Sequence, residues 1–204
     1  MLETISLATA IVALLVSAVT AWLTLFRRGD VRMTQPAVVF FGPDGGRPDR
    51  RPLAKVFLRT LLYSTGERGQ LLQTMYVVLT RAGEKQTFGI WMYGDRDQLL
   101  RGSGLFVGKE GVSANHHFLL RDRSAYEFKP GTYQLDVFAA TAHQKTPRRL
   151  WSLRLDLSEQ QAAALAQGSG IYFDWDPGSG SFEPHIDQRP VSPSVLPSLL
   201  RSLS

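Results

Sequence analysis

The stretch Thr132-Tyr133-Gln134-Leu135-Asp136-Val137-Phe138-Ala139-Ala140 alternates in hydropathy along its length. Tyr133, Leu135, Val137 and Ala139 share one face, which is the pattern of a half-buried strand. Trp151, Leu153, Leu155 and Leu157 repeat it, with Ser152, Arg154 and Asp156 opposite. Upstream, Lys55 to Ser64 is apolar on both faces, with Arg59 and Thr60 between, and predicts a central strand. Leu71 to Arg81 and Thr87 to Tyr93 flank a Gly83-containing turn and predict a hairpin. Val112 to Leu120 is a further candidate strand.

Downstream, Ser158-Glu159-Gln160-Gln161 has the form of a capping box, and Gly168 stands where a short helix would end. Ile171 to Trp175 and Phe182 to Ile186 bracket Asp176-Pro177-Gly178-Ser179-Gly180, which is turn chemistry, and predict a closing hairpin. Roughly eight to ten strands with one short helix predict an all-β chain folded as an antiparallel β-sandwich.

Pro130-Gly131-Thr132-Tyr133-Gln134-Leu135 resembles the tyrosine corner of immunoglobulin-like and fibronectin-like sandwiches. A Gly two before the Tyr and an apolar residue two after it are usual there. The resemblance implies that the Tyr133 hydroxyl bonds back to upstream backbone, and it speaks to architecture only.

Ile5 to Phe26 is a run of 22 residues without a charge. As a helix it would extend roughly 33 Å, enough to cross a bilayer core. Ser6, Thr9, Ser17, Thr20 and Thr24 can bond back to the helix's own carbonyls, and Trp22 suits a headgroup boundary. Val19-Thr20-Ala21 could serve as a cleavage site. However, Met1-Leu2-Glu3-Thr4 carries no cation and the apolar run is long for a signal peptide, so an uncleaved single-pass signal anchor is expected. Arg27, Arg28 and Arg32 follow the span and would contact headgroups. By the positive-inside rule they place the soluble part in the cytoplasm, with a periplasmic or extracellular domain as the alternative. Thr9, Ala13, Ser17 and Ala21 recur at steps of four, a register in which small residues let two helices approach and the chain self-associate.

These patterns divide the chain into an anchor (1–26), a basic Pro/Gly-rich juxtamembrane linker with one short strand at Ala37 to Phe41 (27–52), a sandwich domain (53–187) and a flexible Pro/Ser-rich tail (188–204). Leu196, Leu199, Leu200 and Leu203 fall at helical spacing within that tail, which is expected to fray. The chain has 23 Lys+Arg, 18 Asp+Glu and no Cys. Disulfide scaffolds, thiol nucleophiles and iron–sulfur ligation are therefore excluded. Residues 27–51 hold six Arg against three Asp, which is half the soluble excess of positive charge. That basic collar suits the anionic headgroups of the lipid bilayer, and the sandwich itself is nearly balanced, which argues against nucleic acid as a partner.

Templates for chemistry fail one after another. Gly102, Gly104, Gly108 and Gly111 lie near Ser103 and Lys109, but Glu110 stands where a P-loop needs a hydroxyl. His116 and His117 are neighbours and would point to opposite faces of a strand, so they do not make one metal site. They, His143 and His185 are expected at the surface or in loops. Counted from Asp174, an EF-hand would need Gly and Glu where Ser179 and His185 stand. No nucleophile elbow is present, and no cofactor is called for. Trp91 and Tyr93 share a strand face and are a possible binding surface, although a buried central strand reads the same way.

The expectation is a membrane-anchored, non-catalytic scaffold or adaptor that binds an unknown protein partner. Two alternatives stand beside it. One is a membrane-tethered hydrolase using His116 or His117 beside the Gly102–Gly111 loop. The other is an outward-facing envelope protein that binds glycan or lipid.

Overall fold

A curled antiparallel sheet takes up most of the computed structural model, which describes residues 2–26, 29–44, 52–93, 99–101, 104–120 and 125–187. Helix α1 (Leu2–Ala21) runs into a π-helical turn at Trp22–Phe26. Strands β1 (Val31–Met33), β2 (Val38–Pro43), β3 (Ala54–Ser64), β4 (Gln70–Arg81), β5 (Glu84–Tyr93), β6 (Leu99–Arg101), β7 (Leu105–Val107), β8 (Val112–Leu120), β9 (Gly131–Thr141) and β10 (Gln144–Leu157) follow. Helix α2 (Glu159–Ala166) then leads to the hairpin β11 (Ile171–Asp176) and β12 (Ser181–Ile186).

The strands pair in the order β10-β9-β4-β5-β8-β3-β2-β11-β12, with β1 added on β3, β6 on β5 and β7 on β4. Every strand pair among the described residues is antiparallel, and the sheet curls into a sandwich around one core. Alternation explains what faces inward. Tyr133, Leu135 and Val137 on β9 and Leu153, Leu155 and Leu157 on β10 are buried, while the residues between them are not. On the opposing layer, Phe41 of β2 meets Tyr133 edge-on, with ring centres 5.6 Å apart. Phe41 also stacks on Phe128 at 5.0 Å. Each such side chain removed from water stabilises the fold by about 1.5–3 kcal/mol. A register shift between Leu72 and Thr74 on β4 lets both Leu72 and Met75 point into the core.

Both outermost strands of the path carry proline, Pro147 on β10 and Pro184 on β12. A proline there withholds a donor and blunts an edge that could otherwise recruit another strand.

The segment expected as a linker with one short strand contributes two strands to the sheet. β1 buries Val31 and Met33 around exposed Arg32, and β2 buries Val39 and Phe41. The prolines and glycines around them mask a local alternation too short to register as a pattern. Residues 45–51 and 188–204, with the four leucines of the latter, lie outside the described residues. The expected glycine-rich loop contains a strand as well: β7 pairs Leu105, Phe106 and Val107 with Leu72, Leu71 and Gln70.

Candidate functional site

Neighbouring strands place one aromatic residue each in a single row on the outer face of the sheet. The register joins Trp91 (β5) to His117 (β8), His117 to Phe57 (β3), Phe57 to Phe40 (β2), Phe40 to Tyr172 (β11), and Tyr172 to His185 (β12). Ring centres are 5.6 Å apart for His117–Phe57, 5.0 Å for Phe57–Phe40, 4.9 Å for Phe40–Tyr172 and 5.6 Å for Tyr172–His185. Phe40 and Phe57 are near-parallel, as are Tyr172 and His185. Their faces are therefore turned to one another and present edges outward. Such a row braces the sheet, and it offers little flat surface on which a sugar or base could stack. Trp91 is half-buried at its end, and its indole N–H is buried without a partner among the described residues. Tyr93 pairs Leu99 through its backbone, and its side chain lies outside the described atoms.

His116 and His117 do point to opposite faces, but both are buried, which corrects the expectation of surface positions. The reason is tertiary: His116 stands on the core face, with buried Leu58 as its cross-strand partner, and His117 is packed on the other face between its cross-strand neighbours Trp91 and Phe57. His116 hydrogen-bonds the Thr60 backbone, and burial holds its pKa below the usual imidazole value. His117 is driven down to about 4, by burial first and then by the nearby cation Lys55. Both are neutral imidazoles at neutral pH. His185, by contrast, is exposed and lies 3.3 Å from the Asp174 carboxylate.

A second feature opens at the far end of the sandwich. A concavity of about 620 Å³ is lined by Pro43, Leu53, Tyr126, Phe128, Leu165 and their neighbours. The capping box fixes α2 beside it: Ser158 Oγ accepts from Gln161 N–H, and Gln161 Oε1 accepts from Ser158 N–H. Tyr126 stands edge-on to Phe88 at 5.4 Å and to Phe128 at 5.1 Å. Burial, followed by the adjoining Tyr133 hydroxyl, pushes the Tyr126 phenol well above its ordinary pKa. A smaller concavity of about 450 Å³ adjoins it, lined by Arg81, Lys85 and Tyr126 among others. Neither of the two is lined by a histidine. Among the described residues no group of three or more metal-ligating side chains converges.

At the N-terminus, α1 buries none of its side chains, and it is long and apolar enough to cross a membrane. Thr9 and Ser17 direct their hydroxyls to the carbonyls of Ile5 and Ala13, both at 2.9 Å, which removes polar groups from the helix surface. Ala13 and Ala21 lie in the same four-residue register. Arg32 is exposed on β1, whereas Arg27 and Arg28 lie outside the described residues. The turn at Asp176 forms as its chemistry implies: its carboxylate accepts from Gly178 N–H at 3.0 Å and Ser179 N–H at 2.8 Å, which holds its pKa down.

Sequence reading reached Trp91 but not Phe40, Phe57 or Tyr172, because the row exists only across strands. It missed the distal concavity for the same reason.

No family model matches the chain, and no curated protein matches it. Among solved structures, the putative ApaA protein from Bordetella pertussis is similar over 64% of this chain and 95% of its own, at 10% identity and a TM-score of 0.33. A likeness that distant carries no argument about this chain.

Proposed function

We propose that this chain is a single-pass membrane protein whose sandwich acts as a non-catalytic scaffold, binding a partner protein at the distal concavity. The supporting observation is positional. β4 begins at Gln70, near the end where the apolar helix joins, and its 12 residues extend roughly 35–40 Å to Arg81, near the concavity. A site of this size, whose walls mix apolar side chains such as Leu53, Phe128 and Leu165 with the Tyr126 phenol, Glu127 and Gln167, suits a protein anchor side chain with a polar end. The Tyr133 corner supports an immunoglobulin- or fibronectin-like affinity for the sandwich.

In this reading α1 stays attached as an anchor. Arg27, Arg28 and Arg32 hold the domain on the cytoplasmic side, and Thr9, Ala13, Ser17 and Ala21 let two anchors pair. Reporter fusions at the C-terminus test the side, since activity in an outer compartment would reverse it. Ala13→Ile with Ser17→Ile tests the pairing, which should be lost.

The binding reading itself is tested by recovering the full anchored chain from its native membranes. One stoichiometric partner should co-purify and should be lost on Ala166→Arg, an exposed position on the rim. A solitary protein, or a partner indifferent to that change, would overturn the reading.

A further inference from the structure

Beyond the apolar helix, the large apolar side chains that stand exposed among the described residues are Phe106, at 61%, and Leu71, at 45%. They are direct cross-strand partners on β7 and β4, so they make one patch rather than two scattered residues. The Phe106 ring is held in place from below. It lies over Gly69, where a Cβ would come within 2.1 Å of the ring's Cζ.

Gly69 ends the loop 65–69 between β3 and β4, and this loop grips the chain where it leaves the helix. Gly29 packs so closely on Gly66 that a Cβ on it would lie 2.0 Å from the Gly66 nitrogen. Asp30 N–H donates to Thr65 Oγ1 at 2.8 Å, Thr65 N–H to the Asp30 carbonyl at 2.9 Å, and Gln70 Nε2 to the Gly29 carbonyl at 3.0 Å. Only three residue steps separate Phe26, the end of the helical run, from Gly29. That tether reaches at most about 10 Å. The patch, which adjoins that loop at the start of β4, therefore cannot lie far from the end of the apolar helix.

We infer that Phe106 and Leu71 seat this end of the sandwich in the interfacial layer of the bilayer that α1 crosses. The domain is then held with its long axis away from the membrane and the distal concavity outward. The inference rests on the anchored reading of α1. Exposed Arg68, Lys109 and Arg148 flank the patch, but Glu67, Glu110 and Asp30 offset them. Apolar insertion is therefore the main term, with headgroup attraction second.

The chain has no cysteine, so one introduced cysteine can carry a nitroxide without background. Phe106→Cys, Leu71→Cys and, at the distal end, Lys85→Cys are labelled in the full chain. Each is reconstituted in vesicles of phosphatidylcholine with a minor share of phosphatidylglycerol. Labels at 106 and 71 should show a several-fold higher ratio of oxygen to nickel-chelate collisions than the label at 85. Adding Phe106→Ser should return the label at 71 toward the water value. If the chain is retained on alkaline extraction but labels at 106 and 71 are as water-accessible as that at 85, this inference alone is overturned. If the chain is extracted, the anchored reading fails and takes the inference with it.

Discussion

Tyr133 closes a short loop onto Lys129: its hydroxyl donates to the Lys129 carbonyl at 2.7 Å and accepts from the Lys129 N–H at 2.9 Å. The ring is fully buried against Phe41, so the corner ties the start of β9 to the packing between the two layers. Tyr133→Phe keeps the ring and strands two backbone groups. It should lower stability by about 1–3 kcal/mol, read as a lower urea midpoint with an unchanged slope. An unchanged midpoint would mean that water serves the corner as well as the hydroxyl does.

Acid should destabilise the sandwich through His117. Its folded pKa, about 4, lies below the ordinary imidazole value of 6.5. The neutral form is therefore favoured in the fold. The contribution is fully present above the unfolded value and is lost as pH falls from 6.5 through about 4. Urea midpoints should fall across that window, and His117→Phe should shallow the decline. An NMR titration of His117 with an ordinary midpoint would reject the argument.

Base acts through the phenols in the opposite sense. Tyr126 and Tyr133 both have folded pKa values raised by burial. The stability they contribute is complete below the unfolded tyrosine pKa, about 10, and is lost as pH rises through the folded values. Absorbance at the tyrosinate band should show these two phenols ionising together with unfolding, whereas ordinary ionisation in the native state would contradict the burial.

The junction offers a third handle. Gly29→Ala would drive a methyl into the Gly66 backbone, which has no side chain to yield. Overpacking of this kind costs about 1–3 kcal/mol. Limited proteolysis should show faster cutting around residues 27–31 while the rest of the sandwich stays protected. Equal cutting in both proteins would show that the loop absorbs the change.

Ser158→Ala removes one half of the capping box and should cost about 0.5–2 kcal/mol. Because α2 lines the distal concavity, amide exchange should quicken in Glu159–Ala166 before it does in β10. Protection that stays uniform would place the helix's stability in its packing through Ala162 rather than in its cap.

Elements that rest on local pattern were legible. The strands β3, β4, β8, β9 and β10 and the cap of α2 all lie where alternation or turn chemistry predicts them, because each signal is contained within a few residues. Strands of three residues, β1, β6 and β7, carry too few positions for a period to show. Burial of His116 and His117 was not legible either. A histidine's burial depends on which side chains pack on its face, and Leu58, Phe57 and Trp91 come from strands remote from β8 in sequence.

By itself, then, the sequence determined an apolar helix long enough to span a membrane, a period-two chain bound to make antiparallel sheet, and a tyrosine corner that forms as the resemblance implies. Hydropathy period, charge-free length and turn chemistry are properties of neighbouring residues. The curl of the sheet, the aromatic row from Trp91 to His185, the concavity beside Tyr126 and the exposed pair Leu71 and Phe106 belong to the tertiary structure. Each depends on which strands lie side by side and in what register, and that choice is made by burying all the inward faces in one core at once.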